Sequence, residues 1–127
     1  MDKVKTKGIL KTQPSFSFMQ NATHGMAICK GYMLNQNNVL PLICFDDLAY
    51  FMRNNFKSED KVEVLGYFKN YKPKFKERGL DKIFVVTELV DKSGNVLRNE
   101  ADIEERACEE MVEKGFSLVD IQTNNAI

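Results

Sequence analysis

The stretch from residue 39 to residue 68 constrains the fold of this chain more than any other part of the sequence. Residues 39–45 are almost continuously apolar, which is typical of a buried strand. Residues 46–56 carry apolar side chains at helical spacing, with Asp46 where a helix N-cap is preferred, and residues 61–68 return to the alternation of a strand. Because only a short charged turn separates these segments, we predict a single short helix between two strands of a small β protein.

Strand patterns also occur on both sides of this stretch. Residues 5–18 alternate loosely around Pro14, which predicts a bent edge strand. Residues 26–34 and 83–90 predict two further strands, and the polar residues 35–38 predict the tip of a hairpin. At 127 residues, the chain is long enough for one domain with its own core.

The C-terminal quarter has a different character. Ile103, Ala107 and Met111 lie four residues apart, and Gly115 follows where a helix-ending glycine is expected. This spacing predicts a helix over residues 100–114, whose apolar face packs on the rest of the protein and covers an edge of the sheet.

Charge divides the chain at nearly the same point. Residues 1–98 carry 16 Lys and Arg against 10 Asp and Glu, a net charge of +6, whereas residues 99–127 carry 2 against 8, a net charge of −6. We therefore predict a basic domain over residues 1–98 and an acidic helix and tail over residues 99–127 that packs on it. A basic body attracts a polyanion. The acidic part is either a solvated helix face or a competitor for the same surface.

Several short motifs occur in the order and spacing of one protein family. They are Gly8-Ile9-Leu10 with Gln13-Pro14, His24-Gly25-Met26-Ala27-Ile28, Phe45 at a strand-to-helix junction, Leu48-Ala49, the turn Ser58-Glu59-Asp60-Lys61, and Val62-Glu63-Val64-Leu65-Gly66. Over roughly its first 90 residues, the chain resembles the bacterial and phage single-stranded DNA-binding proteins.

The resemblance implies an all-β fold, a five-stranded OB-fold barrel with a helix between its third and fourth strands, to which this chain adds the C-terminal helix. It implies single-stranded DNA binding without strong sequence preference, in replication or recombination, and a homo-oligomer, either a dimer or a tetramer. It also implies that Phe45 occupies a position where the family usually has an aromatic residue that meets a base. Core packing is the alternative for this ring.

The segment at residues 67–78 interleaves aromatic and basic side chains, with five Lys or Arg among twelve residues. Binding single strands without sequence preference requires a positive groove for phosphates and flat rings on which bases stack. We predict that the aromatic and basic side chains of this segment bind nucleic acid; they are Tyr67, Lys69, Tyr71, Lys72, Lys74, Phe75, Lys76 and Arg78. A solvated basic loop above ordinary strand aromatics is the alternative interpretation.

Other candidate binding residues lie earlier in the chain. Lys30 and Tyr32 are two residues apart on a predicted strand, so they project to one side, and Lys7 and Lys11 are predicted to line the same face. Phe16 and Phe18 also share a face of their strand. We interpret these two rings as core residues, with a stacking pair as the alternative.

The residues suited to other chemistry are few. His24 is the single histidine and has no Cys or carboxylate at metal-ligand spacing, and no nucleophile or phosphate-loop motif occurs. We therefore expect no enzymatic activity, no metal and no cofactor. Cys29, Cys44 and Cys108 are widely spaced, which favours small buried residues over a disulfide framework. No apolar run approaches the ~20 residues of a membrane span and no signal peptide is recognisable, so we expect a cytoplasmic protein.

Two classes of function remain open. The first is single-stranded DNA binding, with single-stranded RNA as an alternative because stacking and phosphate attraction do not distinguish the sugar. The second is an OB-fold adaptor that contacts replication proteins of the replisome or primosome through its acidic helix. Many members of the family have base-stacking tryptophans and a closing acidic peptide that ends in Pro-Phe. This chain has no Trp and ends Asn-Asn-Ala-Ile, and both differences favour the adaptor. The basic and aromatic segment favours nucleic-acid binding.

Overall fold

The computed structural model describes residues 2–20, 25–70 and 82–113. The elements in these ranges are β1 (Val4–Leu10), β2 (Ser15–Gln20), β3 (Gly25–Asn35), β4 (Asn38–Phe45), α1 (Asp47–Asn55), β5 (Lys61–Asn70), β6 (Lys82–Val90), β7 (Val96–Arg98) and α2 (Ile103–Glu113). Neither helix in these ranges is long and apolar enough to cross a membrane.

Five strands close into a barrel. Hydrogen-bonded neighbours follow the order β1, β5, β6, β4, β3, and β3 then pairs with β1 to complete the ring. These pairs are antiparallel, except that β4 and β6 are parallel. β2 extends the sheet along β3, and β7 pairs with β6. A closed ring with a helix between β4 and β5 is the OB barrel predicted from the sequence, so the predicted fold class is confirmed.

The predicted first strand is divided in two. β1 ends at Leu10 and β2 begins at Ser15, with Pro14 buried between them. Proline has no N–H to donate, so the strand ladder is interrupted there. The bend leaves β1 free to pair with β5, while β2 pairs with the first half of β3.

The barrel interior is filled by the inward face of each strand and by α1. Leu48, Ala49 and Met52 form the buried face of α1, and this face closes one end of the barrel. The side chains that they join in the interior include Leu10, Met33, Val64, Phe84 and Leu89. The three cysteines, Cys29, Cys44 and Cys108, are buried and free, as predicted.

A second apolar cluster lies on the outer face of the barrel wall. The barrel contributes Met26, Ile28, Ile43, Phe45, Tyr67, Ile83 and Val85, and α2 covers them with Ile103, Ala107 and Cys108. The helix predicted over residues 100–114 is therefore present, and Ile103 and Ala107 face the barrel. The side chain of Met111 lies outside the described residues, and the boundary between residues 98 and 99 stays a prediction.

The N-terminus of α1 uses a cap that the local sequence does not indicate. Asp46 stands at the N-cap with a φ of 55°, and its carboxylate makes no capping hydrogen bond. The Asn99 Oδ1 atom accepts a hydrogen bond from the Leu48 N–H instead, at 3.1 Å. The Asn99 Nδ2 atom donates to the Phe45 carbonyl oxygen at 2.7 Å and to Glu104 Oε2 at 2.9 Å. Asn99 thus joins the end of β4, the start of α1 and the first turn of α2.

β5 and β6 approach closely beside a β-bulge. Their register skips Thr87 between Leu65 and Gly66, and the Thr87 hydroxyl donates a hydrogen bond to the Leu65 carbonyl oxygen at 3.1 Å. A Cβ atom at Gly66 would collide with the carbonyl oxygen of Val85. Glycine at this position therefore permits the two backbones to pack against each other.

Candidate nucleic-acid interface

The strand register brings residues from four strands together on the outer face. Lys30 on β3 lies opposite Ile43 on β4, Ile43 lies opposite Val85 on β6, and Val85 lies opposite Tyr67 on β5. Directly paired residues project to the same side of a sheet. These residues therefore form one row across the outer face, with Lys30 at one end and Tyr67 at the other.

A second row follows two residues further along each strand. Tyr32 lies opposite Pro41, and Lys69 lies opposite Ile83. A step of two residues keeps the same face and moves about 7 Å along the strand. Lys30, Tyr32 and Lys69 therefore share the outer face, as predicted, and all three side chains are half-buried. We call the surface that these three residues form the outer-face site.

Lys30 has an unusual protonation equilibrium within this site. Burial of its ammonium group lowers its pKa from the ordinary value of 10.5 to about 8. The charge is thus held in a poorly solvated environment, where an added anion gains more electrostatic free energy than it would in open solvent.

The backbone of Lys11 is hydrogen-bonded to Tyr32 of the outer-face site. Lys11 is exposed directly after β1, and its N–H donates a hydrogen bond to the Tyr32 carbonyl oxygen at 2.8 Å. The Lys11 carbonyl oxygen accepts a hydrogen bond from the Ser58 hydroxyl at 3.1 Å. The main chain of Lys11 is therefore fixed beside β3.

Phe45 is a core residue, the alternative given for it above, whereas Tyr67 lacks the exposure that its predicted stacking role requires. Phe45 is completely buried and Tyr67 is 6% exposed, because α2 packs over both rings. Burial raises the pKa of the Tyr67 hydroxyl, and the nearby Cys108 thiol raises it further. Tyr67 does project to the outer face as expected. However, the helix occupies the space that a base would need, so neither ring is available for stacking in this structure.

The acidic helix lies among cations on this face. Burial raises the pKa of the Glu104 carboxyl, while its hydrogen bond from Asn99 and the charge of Lys3 act in the opposite direction. Burial also raises the pKa of the Cys108 thiol, and the charge of Lys69 opposes that shift. The charges of Lys3 and Lys69 therefore both act on side chains of α2, which packs beside part of the outer-face site.

A basic stretch lies on β1, of which Lys7 was predicted from the sequence to line this face and Lys5 was not. Lys5 lies opposite Leu65 and Lys7 lies opposite Glu63, and both lysines are exposed. Leu65 is two residues from Tyr67, so Lys5 and Lys7 extend the outer face beyond β5. The alternation of Lys3, Lys5 and Lys7 along the strand was the available signal.

Six of the eight binding residues predicted in the basic and aromatic segment follow Asn70, the end of β5. The candidates Tyr71, Lys72, Lys74, Phe75, Lys76 and Arg78 lie outside the described residues. Their roles stay predictions.

A ring cluster on the other side of β3 was also missed. Phe16 lies 5.2 Å from both Phe18 and Tyr50 between ring centroids, and the Arg53 guanidinium carbon lies 4.5 Å above the Phe16 ring. We call these four residues the α1–β2 cluster. Phe16 is half-buried but Phe18 is exposed, so the interpretation of both rings as core residues does not hold for Phe18.

Comparison with known proteins identifies the fold class. No model of a known protein family matches the sequence, and no curated protein is significantly similar to it. The structure is similar to the SSB domain of a Synechococcus sp. protein, with a TM-score of 0.53 and 12% identity over 70% of this chain and 93% of that one. It is also similar to a chain from a Replication Protein A heterotrimer bound to ssDNA, with a TM-score of 0.57 and 8% identity over 82% of this chain and 23% of that one.

A small single-stranded DNA-binding protein from Streptomyces coelicolor aligns with a TM-score of 0.45 and 16% identity, over 79% of this chain and 94% of that one. The first two similarities show that the chain has the OB fold. The solved proteins that share the fold belong to the functional class that the sequence motifs resemble, the OB-fold single-stranded DNA-binding proteins.

Proposed function

We propose that this protein binds single-stranded DNA without strong sequence preference, in DNA replication or recombination, and has no catalytic activity. The observation that carries the proposal is the outer-face site, where the Tyr32 ring lies on the same face as the ammonium groups of Lys30 and Lys69. Aromatic rings stack with bases of any sequence, and ammonium groups neutralise phosphates. The fold shared with the SSB domain and the Replication Protein A chain supports the same function.

The dimensions of the site suit an extended strand of nucleotides. Lys30 and Tyr32 on β3 are separated from Lys69 on β5 by β4 and β6. At a spacing of about 4.8 Å between neighbouring strands, this separation is about 14 Å. α2 covers Ile43, Ile83 and Val85 between the two ends of the site. A single strand that contacts both ends therefore passes beside this helix, and Lys5 and Lys7 continue its path beyond β5.

An OB-fold adaptor is the second candidate function. α2 supports it, because the helix covers Phe45 and Tyr67 and leaves Glu105 and Glu109 exposed on its outer side. An exposed acidic helix suits a basic protein partner. An adaptor of this kind would bind neither oligo(dT) nor oligo(U).

Titration of fluorescent poly(dT), poly(U) and duplex DNA at several salt concentrations tests the proposal. We expect the tightest binding to poly(dT) and weak binding to the duplex. If the site neutralises four to six phosphates, the slope of log K against log salt should be about −3 to −4 for single strands. Equal affinity for all three polymers, or no binding, would contradict the proposal. Preference for poly(U) would assign the RNA alternative.

Matched charge variants test whether the outer-face site is responsible. Lys30→Gln and Lys69→Gln should each reduce the salt slope by about 0.7, because each variant removes one phosphate contact. Lys92→Gln is the control, since Lys92 lies after β6 and pairs with Asp60 at 3.2 Å. An equal loss in all three variants would indicate only a general effect of net charge.

We also propose a homo-oligomer and a cytoplasmic location. The oligomer follows from the resemblance to single-stranded DNA-binding proteins, and the heterotrimer of Replication Protein A is a multi-chain assembly with a related fold. Sedimentation equilibrium of the purified protein distinguishes a monomer, a dimer and a tetramer.

A further inference from the structure

The α1–β2 cluster is an exposed aromatic surface that the outer-face site does not include. Phe18 is 52% exposed and Tyr50 is 42% exposed, and their ring centroids are 6.3 Å apart. Other aromatic rings, such as Phe45, Phe56 and Phe84, are buried in the protein, whereas Phe18 and Tyr50 remain exposed. Neighbouring exposed rings form an apolar patch, and patches of this kind mark binding surfaces.

Arg53 gives this surface a charged group suited to an anion. Its guanidinium carbon lies over the Phe16 ring, 4.5 Å from the ring centroid, and Arg53 forms no ion pair with any residue in the described ranges. A guanidinium held in this way presents parallel N–H donors to a phosphate, and it is less strongly hydrated than an ammonium group.

The cluster thus combines the two groups that recognise one unpaired nucleotide. The Phe18 and Tyr50 rings are inclined by 62°, so they cannot hold a base between two parallel faces. One ring can stack with a base while the other contacts the edge of that base. We propose that the α1–β2 cluster is a second contact for the bound single strand, where a base stacks on Phe18 or Tyr50 and a neighbouring phosphate binds Arg53. This inference rests on the proposed function.

The two sites are connected by a short path. Lys30 of the outer-face site lies directly opposite Ser15 on β2, and Phe16 is the next residue along that strand. Among the described strands, β2 pairs only with β3, so its other edge is uncovered by any of them. A single strand that leaves the outer face at Lys30 therefore reaches Phe18 by passing around the edge of β2.

Single tryptophans test this contact, since the chain has no Trp of its own. Phe18→Trp and Tyr50→Trp each place one fluorescent ring in the cluster, at positions that are 52% and 42% exposed. We expect oligo(dT) to quench the fluorescence of Phe18→Trp and Tyr50→Trp in parallel with binding measured by anisotropy.

Removal of the ring provides a second measurement. Phe18→Leu retains an apolar side chain but no aromatic face. Because Phe18 is 52% exposed, the fold should tolerate this substitution, and binding of long oligo(dT) should weaken at least about fivefold. Arg53→Gln should weaken binding and reduce the salt slope. Normal anisotropy binding without quenching at residues 18 and 50, together with unchanged affinity of Phe18→Leu, would overturn the inference and leave the proposed function intact. Failure of the unmodified protein to bind oligo(dT) would overturn both.

Discussion

The Asn99 side chain caps α1 across 51 residues of sequence, because its Oδ1 atom accepts a hydrogen bond from the Leu48 N–H. The first N–H groups of a helix have no partner within the helix, and a neighbouring side chain usually provides one. Here the partner comes from the segment that leads into α2. The same amide group also holds the Phe45 carbonyl oxygen and Glu104, so the two helices begin at one shared junction.

Asn99→Ala should lower the free energy of unfolding by about 1 to 3 kcal/mol, because it leaves the Leu48 N–H and the Phe45 carbonyl oxygen without their partner. Urea denaturation followed by circular dichroism measures the change. The control is Asn54→Ala, at an exposed position of α1, which should remain within about 0.5 kcal/mol of the unmodified protein. Equal effects of the two substitutions would show that the junction contributes little.

The shared junction also affects where the chain can be shortened. A fragment of residues 1–98 lacks α2 and also lacks the α1 cap, whereas a fragment of residues 1–102 lacks only the helix. Both fragments expose the outer cluster around Phe45 and Tyr67, so we expect both to self-associate. The longer fragment should be more stable by about 1 to 3 kcal/mol. Light scattering and urea denaturation measure the two effects, and a monomeric, equally stable 1–98 fragment would contradict this prediction.

Lys30 should make stability depend on pH above neutrality. Its pKa is about 8 in the folded protein and 10.5 ordinarily, so the unfolded chain binds more protons between these two values. Stability rises with pH wherever the unfolded state binds more protons. The contribution of Lys30 should therefore increase from about pH 8 to pH 10.5.

Lys30→Met removes this titration while it keeps most of the side-chain volume. The difference in unfolding free energy between the unmodified protein and Lys30→Met isolates the effect from other groups that titrate in this range. We expect the difference to favour Lys30→Met near pH 7 and to shrink as the pH rises. A difference that is constant across the range would show that the ammonium group is not desolvated.

Phe45→Ala and Tyr67→Ala should both destabilise the fold, each by about 3 to 5 kcal/mol, as expected for large buried rings. Tyr32→Ala should leave the melting temperature nearly unchanged and weaken single-strand binding by about 1 to 3 kcal/mol. Thermal melts and anisotropy titrations of the three variants separate stability from affinity. A stable Tyr67→Ala variant with reduced affinity would restore the stacking role predicted from the sequence.

Gly66→Ala should be strongly destabilising, because the new methyl group would meet the Val85 carbonyl oxygen and β6 would have to move. Gly31→Ala on β3 is the matched control, since its Cβ would lie 3.5 Å from the nearest atom, Leu10 Cδ2, at ordinary contact distance. Comparison of their melting temperatures should show a large decrease for Gly66→Ala and a small change for Gly31→Ala. Similar melting temperatures would indicate that β5 and β6 can separate without loss of stability.

The strand and helix order was predictable because each element has a local signature. The apolar face of α1 around Leu48 and Met52 and the period of Ile103 and Ala107 depend only on residues within one helix. The cap of α1 was not predictable in this way. Asp46 is a residue type that usually caps helices, but the capping hydrogen bond is made by the side chain of Asn99. No local sequence pattern relates Asn99 to a helix that begins about fifty residues earlier.

The candidate site was predictable only in part, for a related reason. Alternation along a strand correctly assigns Lys30, Tyr32 and Lys69 to one face. It does not indicate what covers that face, so Tyr67 was expected to be exposed although α2 buries it. The α1–β2 cluster forms because a helix packs beside a particular strand. The helical pattern around Tyr50 and the strand pattern around Phe18 do not predict that the two rings meet.

The ring of strands is closed by residues that are far apart in the sequence, and this has a consequence for synthesis of the protein in the cell. Val4 on β1 lies opposite Gly66 on β5, and Leu42 on β4 lies opposite Phe84 on β6. Such nonlocal pairs form slowly, since a long loop must close before they gain any free energy. As the chain emerges from the ribosome, one edge of β1 therefore stays unpaired until β5 has been synthesised. The apolar outer cluster stays exposed for longer, until α2 has been synthesised. The nascent protein is most prone to aggregation in this interval.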